Sequence, residues 1–293
     1  MEVTAPRTQK RSLIRGDAIQ RVLAFGALIV LFIVFSLASP NFLQFDNLVG
    51  ILLATAVNGV LALGVTFVII TGGIDLSVGT VMTLSAVMTG VFITFWGFPV
   101  PVGIVGGIIT GTVMGIANGL IIARMKVAPF IATLGMMSVA RGAALMFTEG
   151  RPISGFPENF RSLATGEVLR IPTPVVIMIV VYIIAHFVLR RTKLGRYTYA
   201  IGGNEEAALL SGINVRVYKT MVYGIAGMLA GLAAILLTAR LNSAQPIAGM
   251  NYELDAIAAT VIGGTSLLGG EGTVVGTLIG ALIMAVLRNG LNL

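Results

Sequence analysis

The stretch "GILLATAVNGVLALGVTFVIITGGIDLSVGTVMTLSAVMTGVFITF", residues 50–95, carries one charge, Asp75, between two apolar arms. About 20 residues at 1.5 Å rise cross the hydrocarbon core of a bilayer, so an uncharged run of roughly 18 or more reads as a membrane-spanning helix. Gly50–Ile74 and Leu76–Ala123 are uncharged throughout, as is Val22–Ser39. The whole chain of 293 residues is 56% hydrophobic and 11% charged, where a soluble chain would need about a quarter of its residues charged. The reading that follows is an all-α, polytopic transmembrane helical bundle.

Working outward, hydropathy and turn residues predict nine spans: 22–38, 48–70, 77–95, 101–122, 128–147, 173–189, 220–239, 253–270 and 273–291. They form one transmembrane domain over 22–293, behind a basic N-terminal segment, 1–21. That segment and the first apolar run resemble a signal peptide. The run is long, however, and no small-x-small site precedes Pro40, so it reads as an uncleaved span. With the N-terminus cytoplasmic, the inside connections hold thirteen of nineteen Lys and Arg residues. The outer loop 148–172 holds Arg151, Arg161 and Arg170. That bias is what positive-inside topology requires. The net charge of +7 therefore reflects orientation in the membrane rather than binding to nucleic acid.

Several chemistries are excluded. The chain has no cysteine, so disulfides, thiolate metal sites and cysteine nucleophiles are out. There is no G-x-x-x-x-G-K-[ST] phosphate cradle, no H-E-x-x-H and no G-x-S-x-G. The one histidine, His186, ends an apolar run beside Arg190 and Arg191 and reads as interfacial. No metal or cofactor is expected, and energy for active transport would come from a partner or an ion gradient. Gly103, Gly107, Gly111, Gly115 and Gly119 recur at every fourth position, as do Gly272, Gly276 and Gly280. Such spacing lets helix backbones approach closely.

Two polar interruptions, 71–79 and 262–276, each follow an apolar run with Gly-Gly: Gly72–Gly73 and Gly263–Gly264. One reading is capping, with a glycine in the left-handed region closing one helix and Asp75 or Ser77 accepting N–H groups of the next. The other is a translocation path or gate. A carboxylate at a helix centre costs about 2.5 kcal/mol or more on insertion scales, and transporters place broken helices at their binding sites. Candidate path residues are Gly72, Gly73, Asp75, Ser77, Asn58, Asn118, Thr133, Gly263 and Gly264. Asn58 or Asn118 could instead join two helices by a hydrogen bond. So few interior charges suit a neutral, hydroxyl-rich solute better than a proton or ion relay. Glu253 and Asp255 read as outer-interface residues.

The inner loop 190–219 contains a short helix that Asn204 can cap, with Glu205 and Glu206 in its first turn and Gly212 placed to end it. It could dock a partner or lie on lipid headgroups. "ITGGIDLSVGTVMTLSAV" (70–87), "APFIATLGMMSVARG" (128–142), "LGRYTYAIGGNEEAALLSGINV" (194–215) and "YELDAIAATVIGGTSLLGGEGTVVGTLIGALI" (252–283) resemble the permease subunits of ribose-type ABC sugar importers. The resemblance implies a homodimer in the bacterial inner membrane with a cytoplasmic ATPase subunit and a periplasmic sugar-binding protein. It implies ATPase coupling at Gly202, Gly203, Asn204, Glu205, Ala207, Ser211, Gly212 and Ile213. It also implies binding-protein docking at Arg151, Arg161 and Arg170, where solvated loop charge is the alternative. Members of that family usually have ten spans against the nine expected here, so either the sequence is truncated or its second half packs differently. An ion-coupled secondary transporter and a membrane scaffold or receptor are the competing functions.

Overall fold

The computed structural model describes residues 10–293, with only the helical backbone given for 10–21. Residues 1–9 of the basic N-terminal segment lie outside the described residues. The fold is almost wholly helical. It begins with α1 (Lys10–Ala38), α2 (Phe45–Ile70), α3 (Val78–Gly90, extended by a π-helical turn to Phe95), α4 (Val100–Met125) and α5 (Pro129–Thr148). An end loop holds β1 (Ile153–Ser154), α6 (Glu158–Thr165), β2 (Glu167–Val168) and β3 (Ile171–Pro172). Then come α7 (Thr173–Arg191), α8 (Lys193–Gly203), α9 (Glu205–Leu210), α10 (Val215–Leu241), β4 (Ser243–Ala244), α11 (Tyr252–Ile262) and α12 (Val274–Leu291).

Seven helices are long and apolar enough to cross a membrane among the described residues: α2, α3 with its π turn, α4, α5, α7, α10 and α12. The apolar part of α1, Val22–Ala38, is shorter. The expected span 253–270 takes a different form. Its helix stops after 11 residues, at Ile262, or about 16 Å at 1.5 Å per residue, roughly half the hydrocarbon thickness. Non-helical backbone then runs to Val274. The expected span overlapped the expected break, and the glycines prevail because they close the helix.

The centre of the bundle is α2 and α3. Every residue from Thr55 to Ile70 is buried, and α3 is buried all round except at Met88. A helix apolar on every side belongs inside a bundle. α4 shows the reverse pattern expected in lipid. Its buried face is mostly Gly103, Gly107, Gly111, Gly115 and Gly119, while Val102, Val105, Ile109 and Val113 point outward. The glycine face lies against α10 and α3. A Cβ at Gly227 of α10 would overlap the Gly111 carbonyl oxygen, and one at Gly115 would overlap that of Tyr223. Backbone meets backbone there, so the two helices pack without side-chain spacers.

The ends of the bundle differ. At one, β1 pairs antiparallel with β4, Ile153 opposite Ala244, which ties the 148–172 loop to the α10–α11 connection. At the other, the breaks after α2 and α11 converge on α8, as described below.

A methyl group added at Gly227 must push two backbones apart, and overpacking of this kind costs about 1–3 kcal/mol. Gly227→Ala is expected to lower the thermal midpoint of the purified protein by several degrees in detergent. Gly135→Ala, with nothing within 4 Å of the added carbon, should leave the midpoint unchanged or raise it.

Candidate functional site

At the first break the chain closes α2 with a Schellman motif. Gly72 adopts φ +77°, its N–H donates to the Ile69 carbonyl, and the Gly73 N–H donates to that of Val68. Gly73 also has no room for a side chain, because a Cβ would overlap the hydroxyl of Tyr223. At the second break Gly264 plays the same part with φ +92°. Its N–H donates to the Val261 carbonyl, and the Thr265 N–H donates to Thr260. Gly263 instead provides contact, since a Cβ there would overlap the Gly276 carbonyl oxygen on α12. Each Gly-Gly pair thus joins one turn-forming glycine to one close-packed glycine, in opposite order.

Asp75 is 2% exposed and works locally. Its Oδ1 accepts from the Ser77 N–H at 2.8 Å and from the Ser77 hydroxyl at 2.6 Å. Asn118 of α4 donates through Nδ2 to the Ser77 hydroxyl at 2.9 Å. Thr133 of α5 accepts from the Leu76 N–H at 3.3 Å and approaches the Ile74 carbonyl at 3.4 Å. Four expected path residues, Asp75, Ser77, Asn118 and Thr133, are therefore brought together, and the break is pinned to α4 and α5. Capping and this tertiary network coexist. Asn58 is not part of it: its amide makes no hydrogen bond among the described residues and its Oδ1 is buried without a partner.

The two breaks touch each other. The Gly270 N–H donates to the Ile70 carbonyl at 2.9 Å, taking one of the acceptors left open at the end of α2. A Cβ on Gly269 would lie 2.9 Å from the Gly72 nitrogen and 2.9 Å from the Gly202 oxygen. Gly202 of α8 sits on both breaks, where any Cβ would overlap the Ile70 carbonyl oxygen and lie 2.5 Å from the Gly270 nitrogen. The Tyr199 hydroxyl donates to the Gly272 carbonyl at 2.7 Å. A Cβ added to Gly203 meets nothing within 4 Å, so it is Gly202 that has no room for a side chain.

Beyond this knot, α9 forms as its sequence requires. Asn204 Oδ1 accepts from the Ala207 N–H at 2.9 Å. Gly212 has φ +82° and, with Ile213, completes a third Schellman motif onto Leu209 and Ala208. The Ser211 hydroxyl donates to the Ala207 carbonyl at 2.8 Å. Glu205 pairs with Lys219 of α10 at 2.6 Å. Leu209 and Leu210 are left 62% and 87% exposed. Arg151, Arg161 and Arg170 are exposed on the loop at the far end.

Glu253 and Asp255 are buried within the protein at the start of α11, and Arg288 of α12 donates to Asp255 Oδ2 at 2.9 Å. That pairing was not read from the sequence, although Arg288, a lone cation in the last apolar run, needs a counter-charge. Deeper between the same helices, the Thr66 hydroxyl lies 2.7 Å from that of Thr277 and 3.4 Å from that of Thr260.

A multi-pass helical bundle with paired helix breaks and a loop seated on both defines a membrane transport component. The family model described as "Branched-chain amino acid transport system / permease component" matches residues 47–293, and the chain belongs to that permease family. It is 48% identical to the ribose import permease protein RbsC of Bacillus subtilis, over all of this chain and 91% of the relative. It is 50% identical to the Escherichia coli K12 protein of that name, over 91% of this chain and 84% of the relative. The D-allose transport system permease protein AlsC of Escherichia coli K12 is 37% identical over 92% and 83%. No solved structure matches the chain.

Asp75→Asn separates the two roles of the break, because an amide oxygen can still accept from Ser77 while the charge is gone. Losing the charge from these hydrogen bonds is worth about 1.4 kcal/mol or more, and uptake by the assembled transporter is expected to fall about tenfold at normal membrane insertion. Unchanged uptake would assign the carboxylate to capping alone.

Proposed function

We propose that this chain forms the translocation path of an ATP-driven importer for ribose or a similar monosaccharide. In this reading it is a multi-pass inner-membrane subunit with a cytoplasmic N-terminus. A second copy, a cytoplasmic ATPase subunit and a periplasmic binding protein complete the assembly. The apolar part of α1 crosses the bilayer. α11 and the non-helical chain that follows it together cross from one end of the bundle to the other and bring the total to nine passes. The sugar is carried over from the ribose and allose permeases that the sequence resembles.

The observation that carries the mechanism is the seat of Gly202 against both Ile70 and Gly270. α8 and α9 form one continuous lever whose outer tip is Leu209 and Leu210 and whose inner end is Gly202. Pulling or pushing on the tip displaces Gly202. Because that contact is backbone on backbone, it has no flexible side chain to absorb the movement. The breaks after α2 and α11 then shift together, and access alternates between the two ends. Gly202, Gly203, Asn204, Glu205, Ala207, Ser211, Gly212 and Ile213 form and hold the lever. Arg151, Arg161 and Arg170 offer cations to acidic patches of a binding protein. Ion coupling is less favoured, since Asp75 and Asp255 are already engaged by Ser77 and Arg288.

Co-reconstitution in lipid with the ATPase and a ribose-loaded binding protein is the test. Leu210→Glu places a charge in the docking contact, and loss of a buried apolar anchor typically costs about 2 kcal/mol or more, so ATPase binding should weaken at least tenfold. Gly202→Ala should leave the ATPase bound while abolishing stimulation by the loaded binding protein, whereas Gly203→Ala should keep both. No association of the wild-type chain with the ATPase would sink this reading in favour of a secondary transporter.

A further inference from the structure

Between α2, α10, α11 and α12, toward the end that carries the 148–172 loop, lies a cavity of about 250 Å³. Asn58, Arg240, Tyr252, Asp255, Arg288 and Asn289 form its polar wall. Ala54 and Ala285 contribute small side chains that leave the space open. No part of the 71–79 network lines it.

The wall joins buried and exposed polar groups, since Asn58 and Asp255 are buried while Arg240 and Arg288 are exposed. Arg288 and Asp255 are paired at 2.9 Å, and the Arg288 guanidinium lies 6.0 Å from the Tyr252 ring centroid. Arg240 has no carboxylate partner among the described residues. Asn58 is 7% exposed, yet its amide oxygen has no partner among the described residues. Buried polar groups are normally satisfied, so one left open at a cavity wall is offered to whatever fills the cavity. The wall supplies carboxylate acceptors, guanidinium donors and amide side chains. A sugar hydroxyl, donor and acceptor at once, matches that set. A cation does not, because the one carboxylate in the wall is already neutralised by Arg288. The volume lies below the ~300–1,000 Å³ of drug-sized sites, which suits one sugar ring.

We propose that this cavity is a monosaccharide-binding subsite inside the permease, with Asn58, Asp255 and Arg288 holding ring hydroxyls; it rests on the sugar-importer reading above. The helices that wall it also connect it to the breaks. α2 and α12 meet α11 farther along at Thr66, Thr277 and Thr260, closing the way past the cavity with hydroxyls. α11 carries Asp255 in its first turn and ends in the Gly263–Gly264 break. Sugar held at Asp255 thus loads the same short helix whose other end rests near Gly202.

The chain has no cysteine, so Ala54→Cys places a single thiol in the cavity wall. Its rate of labelling by a small methanethiosulfonate is measured in the permease–ATPase complex in nanodiscs. Ribose is expected to slow labelling in a saturable way, while sucrose and inorganic phosphate do not. Adding Asn58→Ala should raise the ribose concentration for half-protection about tenfold, the effect of one lost hydrogen bond. No protection, equal protection by sucrose, or protection by phosphate in place of ribose each overturns the subsite. Ribose uptake by the wild-type complex is measured in parallel. Uptake without protection removes the subsite and leaves the importer standing, whereas absent uptake removes the importer reading itself.

Discussion

Everything in this fold depends on the rule that backbone polar groups have no water to bond with inside a bilayer. Two helices, α2 and α11, end against buried backbone, and each end leaves carbonyls and N–H groups to be satisfied within the protein. The Schellman bonds from Gly72, Gly73, Gly264 and Thr265 meet part of that demand. The remainder is met across the chain. The Ile70 carbonyl accepts from Gly270, and the Gly272 carbonyl accepts from the Tyr199 hydroxyl. Mutual satisfaction makes the two breaks one unit, and it brings α8 into that unit.

Close packing follows from the same demand. Backbone-to-backbone bonds between separate segments require an approach that a Cβ would prevent, and the glycines at 202, 269 and 270 stand where that approach occurs. Farther into the bundle, glycines of α4 and α10 make a comparable contact between whole helices. The two contacts differ in what they bring together. The α4–α10 seam joins two long regular helices along their length. The knot at Gly202 joins chain ends and loops, with a six-residue helix and exposed leucines beyond it. Movement is therefore cheaper at the knot than at the seam, and a lever is best placed there.

Much of this was legible in the sequence because it is local. Hydropathy reports long spans, Asn204 and Gly212 report the ends of α9, and Gly-Gly followed by Asp or Thr reports a break. What was not legible depends on contacts distant along the chain. Nothing in "YELDAIAATVIGG" states that Tyr252–Ile262 ends as a half-length helix, because the run of apolar residues continues in composition through Leu267 and Leu268. Gly202 and Gly203 look alike in sequence, and only the position of Ile70 separates them. Asn58, grouped with the path residues around Asp75, points into a different space, since α2 presents residue 58 and its C-terminal end to different neighbours. The partner of Asp255 is Arg288 of the next helix, a contact that neither local stretch announces.

The two polar regions divide the work of a path in a way that their chemistry explains. Around Asp75 the chain is tied within the protein, with Ser77 donating twice to the carboxylate, Asn118 to Ser77 and Leu76 to Thr133, while the Tyr223 hydroxyl and Asn118 Oδ1 are buried without a partner among the described residues. A network tied to three helices holds shape, and none of it lines the cavity near Asp255. Around Asp255 the open groups, Asn58 and Arg240, border a volume that a solute can enter. The difference lies in that volume. In the proposed importer the sugar therefore dwells between α2, α11 and α12, while the Asp75 network acts as a hinge that keeps α3 in register with α4 and α5 as the breaks shift. Such a division also fits the low interior charge, because a neutral solute needs to be met by open hydrogen-bonding groups, not by net charge.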